Sequence, residues 1–308
     1  MTKITAALVK DLRSKTGAGM MDCKKALTEC AGDVEAAVDW LRQNGLAVAG
    51  NKEGRTASEG LVGLAVGGNA GAIVEVNSET DFVAKNEQFQ DFVGTIAGLV
   101  LANEADKDSV IASGYPGSDR TVSEQLIQNI ATIGENMNIR RMDFISVKNG
   151  VIGSYMHNSA APEMGRIGVL VALQSEAKPA DLLPLAKQIA MHVAATGPRV
   201  VNVDDLDERD VEREREVLAG QARQSGKPEE IIAKMIDGRI RKYFDKVVLM
   251  RQTFVIDGER TIEKVLEEAA GELGAEVKID SFVRFSLGEG IEKAETDFAA
   301  EVASAVGA

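Results

Sequence analysis

The feature that most constrains the fold is a recurrence. Residues 61–66 and 72–76 are strand-like apolar runs joined by Gly67-Gly68-Asn69-Ala70-Gly71, a hairpin turn in composition. A polar junction follows, after which Phe89, Phe92, Val93, Ile96 and Val100 mark one helical face at 3.6-residue spacing. Ninety residues after Leu61 the order returns at Val151: a strand over 151–155, a loop, a strand over 167–173, a polar turn over 174–178 and a helix over 180–195. Pro184 falls early in that helix, where a missing N–H does least harm. Strand, strand, turn and helix twice over predict an α+β fold with two related core subdomains. The first spans 61–150 and the second 151–204 with 247–287.

The flanking segments have a different period. Residues 1–48 read as three short helices: Thr5 caps the first, Thr16-Gly17-Ala18-Gly19 breaks it, Met20 to Cys30 form the second, and Asp33 caps a third ending near Gly45. Residues 49–60 are polar and glycine-containing, as in a linker. Residues 205–246 are charge-rich and helical, interrupted by Ser225-Gly226-Lys227-Pro228, with Pro228 suited to the first position of a new helix. This predicts an inserted helical hairpin, with Ile231, Ile232, Met235, Ile236 and Ile240 facing Val211, Val217 and Leu218. Residues 277–285 alternate as a strand, and 291–306 read as a terminal helix within a C-terminal piece over 288–308.

Charge and motifs narrow the activity. A formal net charge of −13 gives no obvious basic surface for a phosphate backbone, so the expected partner is a protein and no direct nucleic-acid contact is expected. The N-terminus lacks an apolar signal core, and no run approaches the ~18 uncharged residues of a membrane span; the expected location is cytoplasmic. Cys23 and Cys30, seven apart on one predicted helix, are too distant for a disulfide within it. Gly220 to Pro228 superficially resembles a phosphate loop. Five residues separate its glycines where four are needed, and Pro228 replaces the magnesium-binding hydroxyl, so a turn is expected. Gly288-Glu289-Gly290 likewise reads as a turn, because Lys293 stands at the third glycine of a dinucleotide fingerprint. His192 sits in an apolar helical stretch, where a hydrogen-bonded core histidine is expected. His157 ends a strand and suits either a structural role or a partner contact. No His, Cys and carboxylate set suggests a metal, and no nucleophile stands with a base, so neither cofactor nor enzymatic centre is expected.

The junction Val76-Asn77-Ser78-Glu79-Thr80-Asp81-Phe82-Val83 is the most telling local feature. A large ring at a strand-to-helix turn either anchors the following helix to its own sheet or waits for another protein's surface. Met20 and Met21, adjacent on a helix, point in separated directions, so one of them is expected at least partly exposed and is either core or contact. The charge-rich hairpin is either a solvated pair or an interaction surface, which leaves a homodimer open.

Several of these segments together resemble the bacterial elongation factor Ts family. The most specific are Leu12-Arg13 with Thr16-Gly17-Ala18-Gly19-Met20-Met21-Asp22-Cys23-Lys24-Lys25-Ala26-Leu27, and Glu75-Val76-Asn77 with Thr80-Asp81-Phe82-Val83-Ala84-Lys85. Supporting pieces are Ile133-Gly134-Glu135-Asn136, Asn138-Ile139-Arg140-Arg141, residues 189–195 and Gly288-Glu289-Gly290-Ile291-Glu292-Lys293. The resemblance implies a UBA-like N-terminal module, a two-part core, a protruding hairpin and a C-terminal helix. It also implies a guanine nucleotide exchange factor for elongation factor Tu, with no nucleotide site of its own. Thr80, Asp81, Phe82 and Val83 would dislodge the partner's magnesium and loosen GDP, with Asp81 fixing the geometry. Arg13, Met20, Met21, Ile133, Gly134 and His157 would bind the partner. Residues 158–165 look like a loop inserted after His157 relative to shorter relatives. A rival function is a scaffold or holdase that binds through the hairpin and the N-terminal module without driving exchange.

Overall fold

The computed structural model describes residues 4–104, 106–224 and 228–292. The expected terminal helix beyond Glu292 and the turn at Ser225, Gly226 and Lys227 lie outside the described residues. Three helices open the chain: α1 (Ala6–Thr16), α2 (Met20–Glu29) and α3 (Val34–Gly50). Strands β1 (Glu59–Gly67) and β2 (Ala70–Ser78) follow, then α4 (Glu87–Asn103), α5 (Lys107–Ala112), α6 (Val122–Ile133) and β3 (Met137–Ser146). The remainder runs β4 (Gly150–Ala161), β5 (Met164–Gln174), α7 (Pro179–Thr196), α8 (Glu208–Arg223), α9 (Glu229–Val247), α10 (Ile262–Leu273) and β6 (Lys278–Ser286).

The fold is α+β, with all six strands in one curled antiparallel sheet of order β3-β2-β1-β5-β4, and β6 added to β5. Strand β1 meets β5 only through Val62 opposite Gly165 and Gly63 opposite Met164, so the sheet bends at this narrow seam. Alternation then serves two cores at once. Leu61, Ala72, Val74 and Val76 face α4, whose stripe Phe89, Phe92, Val93, Ile96 and Val100 is fully buried. Their neighbours Val62, Leu64 and Ile73 turn the other way and meet Ile152, Leu170, Ala172 and Phe285 from the far half. Val169, Val171 and Leu173 pack on α7 and α10 in a third core.

The two hairpins are not the only features that recur. Each half also ends its helical part on a threonine-capped helix, α6 behind Thr121 and α10 behind Thr261, followed by a third strand. The approach to that helix is closed in a like manner in both, by a loop one residue longer in the second: Tyr115 N–H donates to Arg120 O and Phe254 N–H to Arg260 O, each at 2.7 Å. The third strand carries a β-bulge in both, at Arg140 between Glu75 and Val76 of β2 and at Asp280 between Ala172 and Leu173 of β5.

Several boundaries differ from expectation. Residues 158–165 are not a loop: β4 and β5 extend outward as one long hairpin with Pro162 and Glu163 at its tip, because backbone pairing continues past His157, with Ser159 opposite Gly165. Pro179 holds the first position of α7, and Pro184 lies in the next turn, where it removes a helical hydrogen bond. Helix α3 continues past Gly45 to Gly50, and α8 includes Gly220 through Arg223. Pro228 precedes α9 as its cap rather than occupying its first turn. Along the hairpin, Ile232 and Ile240 are buried, while Val217 and Ile231 remain exposed.

In the N-terminal module the expected caps form: Thr5 Oγ1 accepts from Leu8 N–H and Asp33 Oδ1 from Ala36 N–H. Gly17 ends α1 in the left-handed region at φ 71°. Leu12, Cys23, Ala26, Leu27 and Ala37 make a small core; Cys23 and Cys30 are both free thiols, and burial pushes that of Cys23 up. The module rests on α6 through α3, with an Arg42–Glu124 ion pair and a hydrogen bond from Gln128 Nε2 to Thr16 O at 3.1 Å.

Candidate functional site

Phe82 is 76% exposed, which removes the helix-anchor alternative. The anchoring is done by its neighbour Val83, buried against the α4 core, in a short 3-10 turn over Val83–Lys85. Asn86 then caps α4, its Oδ1 accepting from Phe89 N–H at 3.1 Å. On the strand side, Ser78 Oγ donates to Thr80 O at 3.0 Å. Glu135 takes both donors of Thr80, the backbone N–H at 2.8 Å and Oγ1–H at 2.5 Å. Glu79 accepts from Asn136 N–H at 2.5 Å. Asp81 is exposed and makes no hydrogen bond or ion pair among the described residues, while the segment around it is held by Glu135 and Glu79.

Gly134 explains how Glu135 reaches the turn. It ends α6 at φ 89°, a left-handed conformation that suits glycine, and the chain reverses to aim the next side chain at Thr80. Ile133 is half-buried beside the α4 core. The structure therefore brings Ile133 and Gly134 together with Thr80, Asp81, Phe82 and Val83, although they stand far apart in sequence.

A second cluster lies at the same end of β2. Glu75 is completely buried, and its carboxylate accepts from Arg141 Nε at 2.6 Å, Gly288 N–H at 2.8 Å, Arg140 Nη1 at 3.0 Å and Asn77 Nδ2 at 3.1 Å. Consecutive strand residues ordinarily face opposite ways; the bulge at Arg140 is what lets Arg140 and Arg141 converge on one carboxylate. Burial alone would raise the Glu75 pKa. The Gly288 N–H, Arg141, Asn77 and Arg140 together outweigh it and hold the carboxyl below its ordinary value. Arg141 also pairs with Glu289 and lies 4.3 Å over the Phe285 ring. The turn at Gly288-Glu289-Gly290 thereby fastens the outgoing C-terminal chain to β2 and β3.

The other expected contact residues lie elsewhere. Arg13 is exposed on α1, and Met20 and Met21 are 53% and 74% exposed at the start of α2, so both methionines face outward where only one was expected to. None of the three hydrogen-bonds to the Phe82 turn. His157 is exposed on the outer arm of β4, its Nδ1 3.3 Å from Tyr155 Oη. His192 is a satisfied core residue: Nδ1 accepts from Val255 N–H at 3.2 Å, so Nε2 carries the proton to Gln252 Oε1 at 2.9 Å. Sequence reasoning assigned no function to Glu135, Glu79 or Glu75. Their signal was present, since each stands inside or beside a segment that carries the resemblance.

Among the described residues, no group of three His, Cys, Asp or Glu is placed to hold a metal, and no helix is long and apolar enough to cross a membrane. What the site offers is an exposed ring on a braced turn, with exposed methionines on a separate module. Residues 79–289 match the profile of the family described as Elongation factor TS. The chain is 60% identical to elongation factor Ts of Rhodospirillum rubrum over 99% of both chains. It is 58% identical to that of Rhodospirillum centenum over the whole of both, and 54% identical to that of Parvibaculum lavamentivorans over 99% of both. The chain belongs to the elongation factor Ts family. Membership makes it an elongation factor of protein biosynthesis, acting in nucleotide exchange. Within the elongation factor Ts frame, several of the segments that carried the resemblance converge around Glu75 and Thr80.

Proposed function

We propose that this chain is the guanine nucleotide exchange factor of elongation factor Tu and that it speeds GDP release by disturbing that partner's magnesium and phosphate site, with no nucleotide site of its own. The supporting observation is Phe82, a large ring 76% exposed on a turn whose backbone is held upstream by Glu135 at Thr80 N–H and downstream by Lys85 N–H at Phe82 O. Such a ring has its burial still to gain, and it gains it on the partner. An exchange factor binds the nucleotide-free GTPase more tightly than the GDP form, and linkage requires that it weaken GDP by the same factor. A thousandfold effect needs about 4 kcal/mol of differential binding. Burying one phenylalanine supplies only about 1.5–3 kcal/mol, so Phe82 acts within a distributed grip. Arg13, Met20 and Met21 on a UBA-like module, Ile133 and Gly134 beside the wedge, and His157 on the long hairpin supply the rest. The two α+β halves act as subdomains that hold these surfaces apart, and the reaction belongs to the cytoplasm.

Stopped-flow release of fluorescent GDP from elongation factor Tu tests this. The wild-type chain accelerates release, and Phe82→Ala lowers that acceleration about ten- to a hundredfold, the loss of one buried ring, while retaining measurable complex formation. A wild-type chain that binds without accelerating release is a scaffold, and a Phe82→Ala chain with undiminished acceleration removes Phe82 as the wedge.

A further inference from the structure

We infer that Glu135 is the positioning residue of the Phe82 wedge and that, through Gly134 and Asn136, the same three-residue bridge ties the wedge to the seating of the N-terminal module. The inference rests on the exchange reading of Phe82. An exposed ring makes too few contacts of its own to set its direction, so that direction is inherited from the backbone of the turn. Downstream, the backbone is pinned by buried Val83 and by Lys85 N–H donating to Phe82 O at 3.1 Å. Upstream, the described side chains that bond Thr80 are Ser78, which donates to its carbonyl, and Glu135, which takes both its donors. Charge-assisted bonds to two donors of one residue fix orientation as well as distance.

The other side of the bridge faces the segment that leaves α3. Lys52 Nζ donates to Gly134 O, and Asn136 Nδ2 donates to Arg55 O at 2.7 Å and Glu53 O at 3.4 Å. Arg55 pairs in turn with Glu79 at 3.5 Å, and Glu79 accepts the Asn136 N–H. Residues 52, 53 and 55 follow directly on α3 of the module that exposes Met20 and Met21. The bridge over 134–136 therefore holds the base of the module with one set of bonds and the wedge turn with another. A module docked on the partner and a wedge inserted into it are two ends of one braced structure.

The test uses the full chain with elongation factor Tu, measuring affinity for the nucleotide-free partner and the GDP release rate at saturation. Glu135→Ala is expected to slow saturated release about tenfold while changing affinity by no more than about threefold. Glu135→Gln, which keeps an acceptor for Thr80 N–H, restores most of the rate. In a Phe82→Ala background, Glu135→Ala adds no further loss, because a positioning residue has nothing left to position. Thermal unfolding of each variant monitors the fold. Should Glu135→Ala prove too unstable to assay, Thr80→Val removes the hydroxyl bond from the opposite side and is expected to slow release in the same Phe82-dependent way. An equal loss in both backgrounds, or full saturated release by Glu135→Ala, overturns the inference. Undiminished release by Phe82→Ala alone overturns the reading beneath it, and is distinguished from the case where Phe82→Ala is slow and Glu135→Ala is not.

Discussion

Glu75→Gln is the most informative perturbation of the frame that carries the Phe82 turn. Oε1 of Glu75 receives Gly288 N–H, Asn77 Nδ2 and Arg140 Nη1, and Oε2 receives Arg141 Nε and, at 3.2 Å, Arg140 Nη1 as well. A glutamine oxygen at the first position keeps the neutral donors, but its NH2 then meets Arg141 Nε, donor against donor and beside two guanidinium groups. Removing one partner of a buried ion pair costs about 3–5 kcal/mol when the other is left dry. Arg140 and Arg141 are 25% and 31% exposed and recover part of their hydration, so a loss of about 2–3 kcal/mol is expected. Urea unfolding at neutral pH, with hydrogen exchange at the Gly288 amide as the local readout, measures it. The sign with pH follows from the depressed carboxyl. Stabilisation by ionised Glu75 is complete above its ordinary value of 4.5 and is lost as pH falls through the lower value of the folded state. The wild-type advantage over Glu75→Gln should therefore be full at pH 7 and shrink in acid below 4.5. Equal stability at pH 7, or a gap that does not narrow on acidification, would refute the claim that this carboxylate is charged and fastens the C-terminal exit.

His192 has its pKa lowered by burial, against a smaller raising effect of Gln252, so the unfolded chain takes up a proton that the folded core refuses. Stability should fall as pH drops below the ordinary 6.5, and His192→Gln should flatten that part of the profile; an unchanged slope in the variant argues for another titrating group. Gly153 of β4 lies against α7, where an added Cβ would stand 2.4 Å from the Ala186 carbonyl carbon and 2.5 Å from its oxygen. Gly153→Ala should lower stability by about 1–3 kcal/mol in thermal or urea unfolding, since backbone cannot step aside as a side chain can; a neutral result would mean α7 shifts freely on the sheet.

The parts legible in the sequence were those written in local period and local chemistry: the two hairpins, the α4 stripe, the caps at Thr5 and Asp33, the break at Gly17. Strand β3 was hidden because its parity changes partway. Met137 and Ile139 face the α4 core before the bulge, Met142 and Phe144 after it, so strict alternation fails across Arg140. Two short alternating runs out of phase around Arg140-Arg141 are the signal that could have found it. At the turn, residue chemistry left Phe82 undecided because Val83 and Phe89 could equally supply the anchor, and only their burial shows the ring to be spare. Glu135 was invisible as a brace because its contact with Thr80 spans 55 positions and depends on the reversal at Gly134.

Comparing the recurring features also shows what is particular to the half that bears Phe82. Both halves share the hairpin, the threonine-capped helix before the third strand and the bulge in that strand, yet the residue preceding the bulge site is Glu75 in one and Ala172 in the other. The bulge in the second half sets Asp280 beside Ser281 where the first sets Arg140 beside Arg141. Shared backbone geometry is therefore not what makes the charged junction; the Glu75, Arg140 and Arg141 that stand in the first half are. That half is the one whose β2 runs on from Glu75 through Asn77 and Ser78 into the Phe82 turn. Its ion pairs hold β2, β3 and the C-terminal exit together just before the strand enters the Phe82 turn, so the exposed ring stands on a segment that is anchored in the sheet.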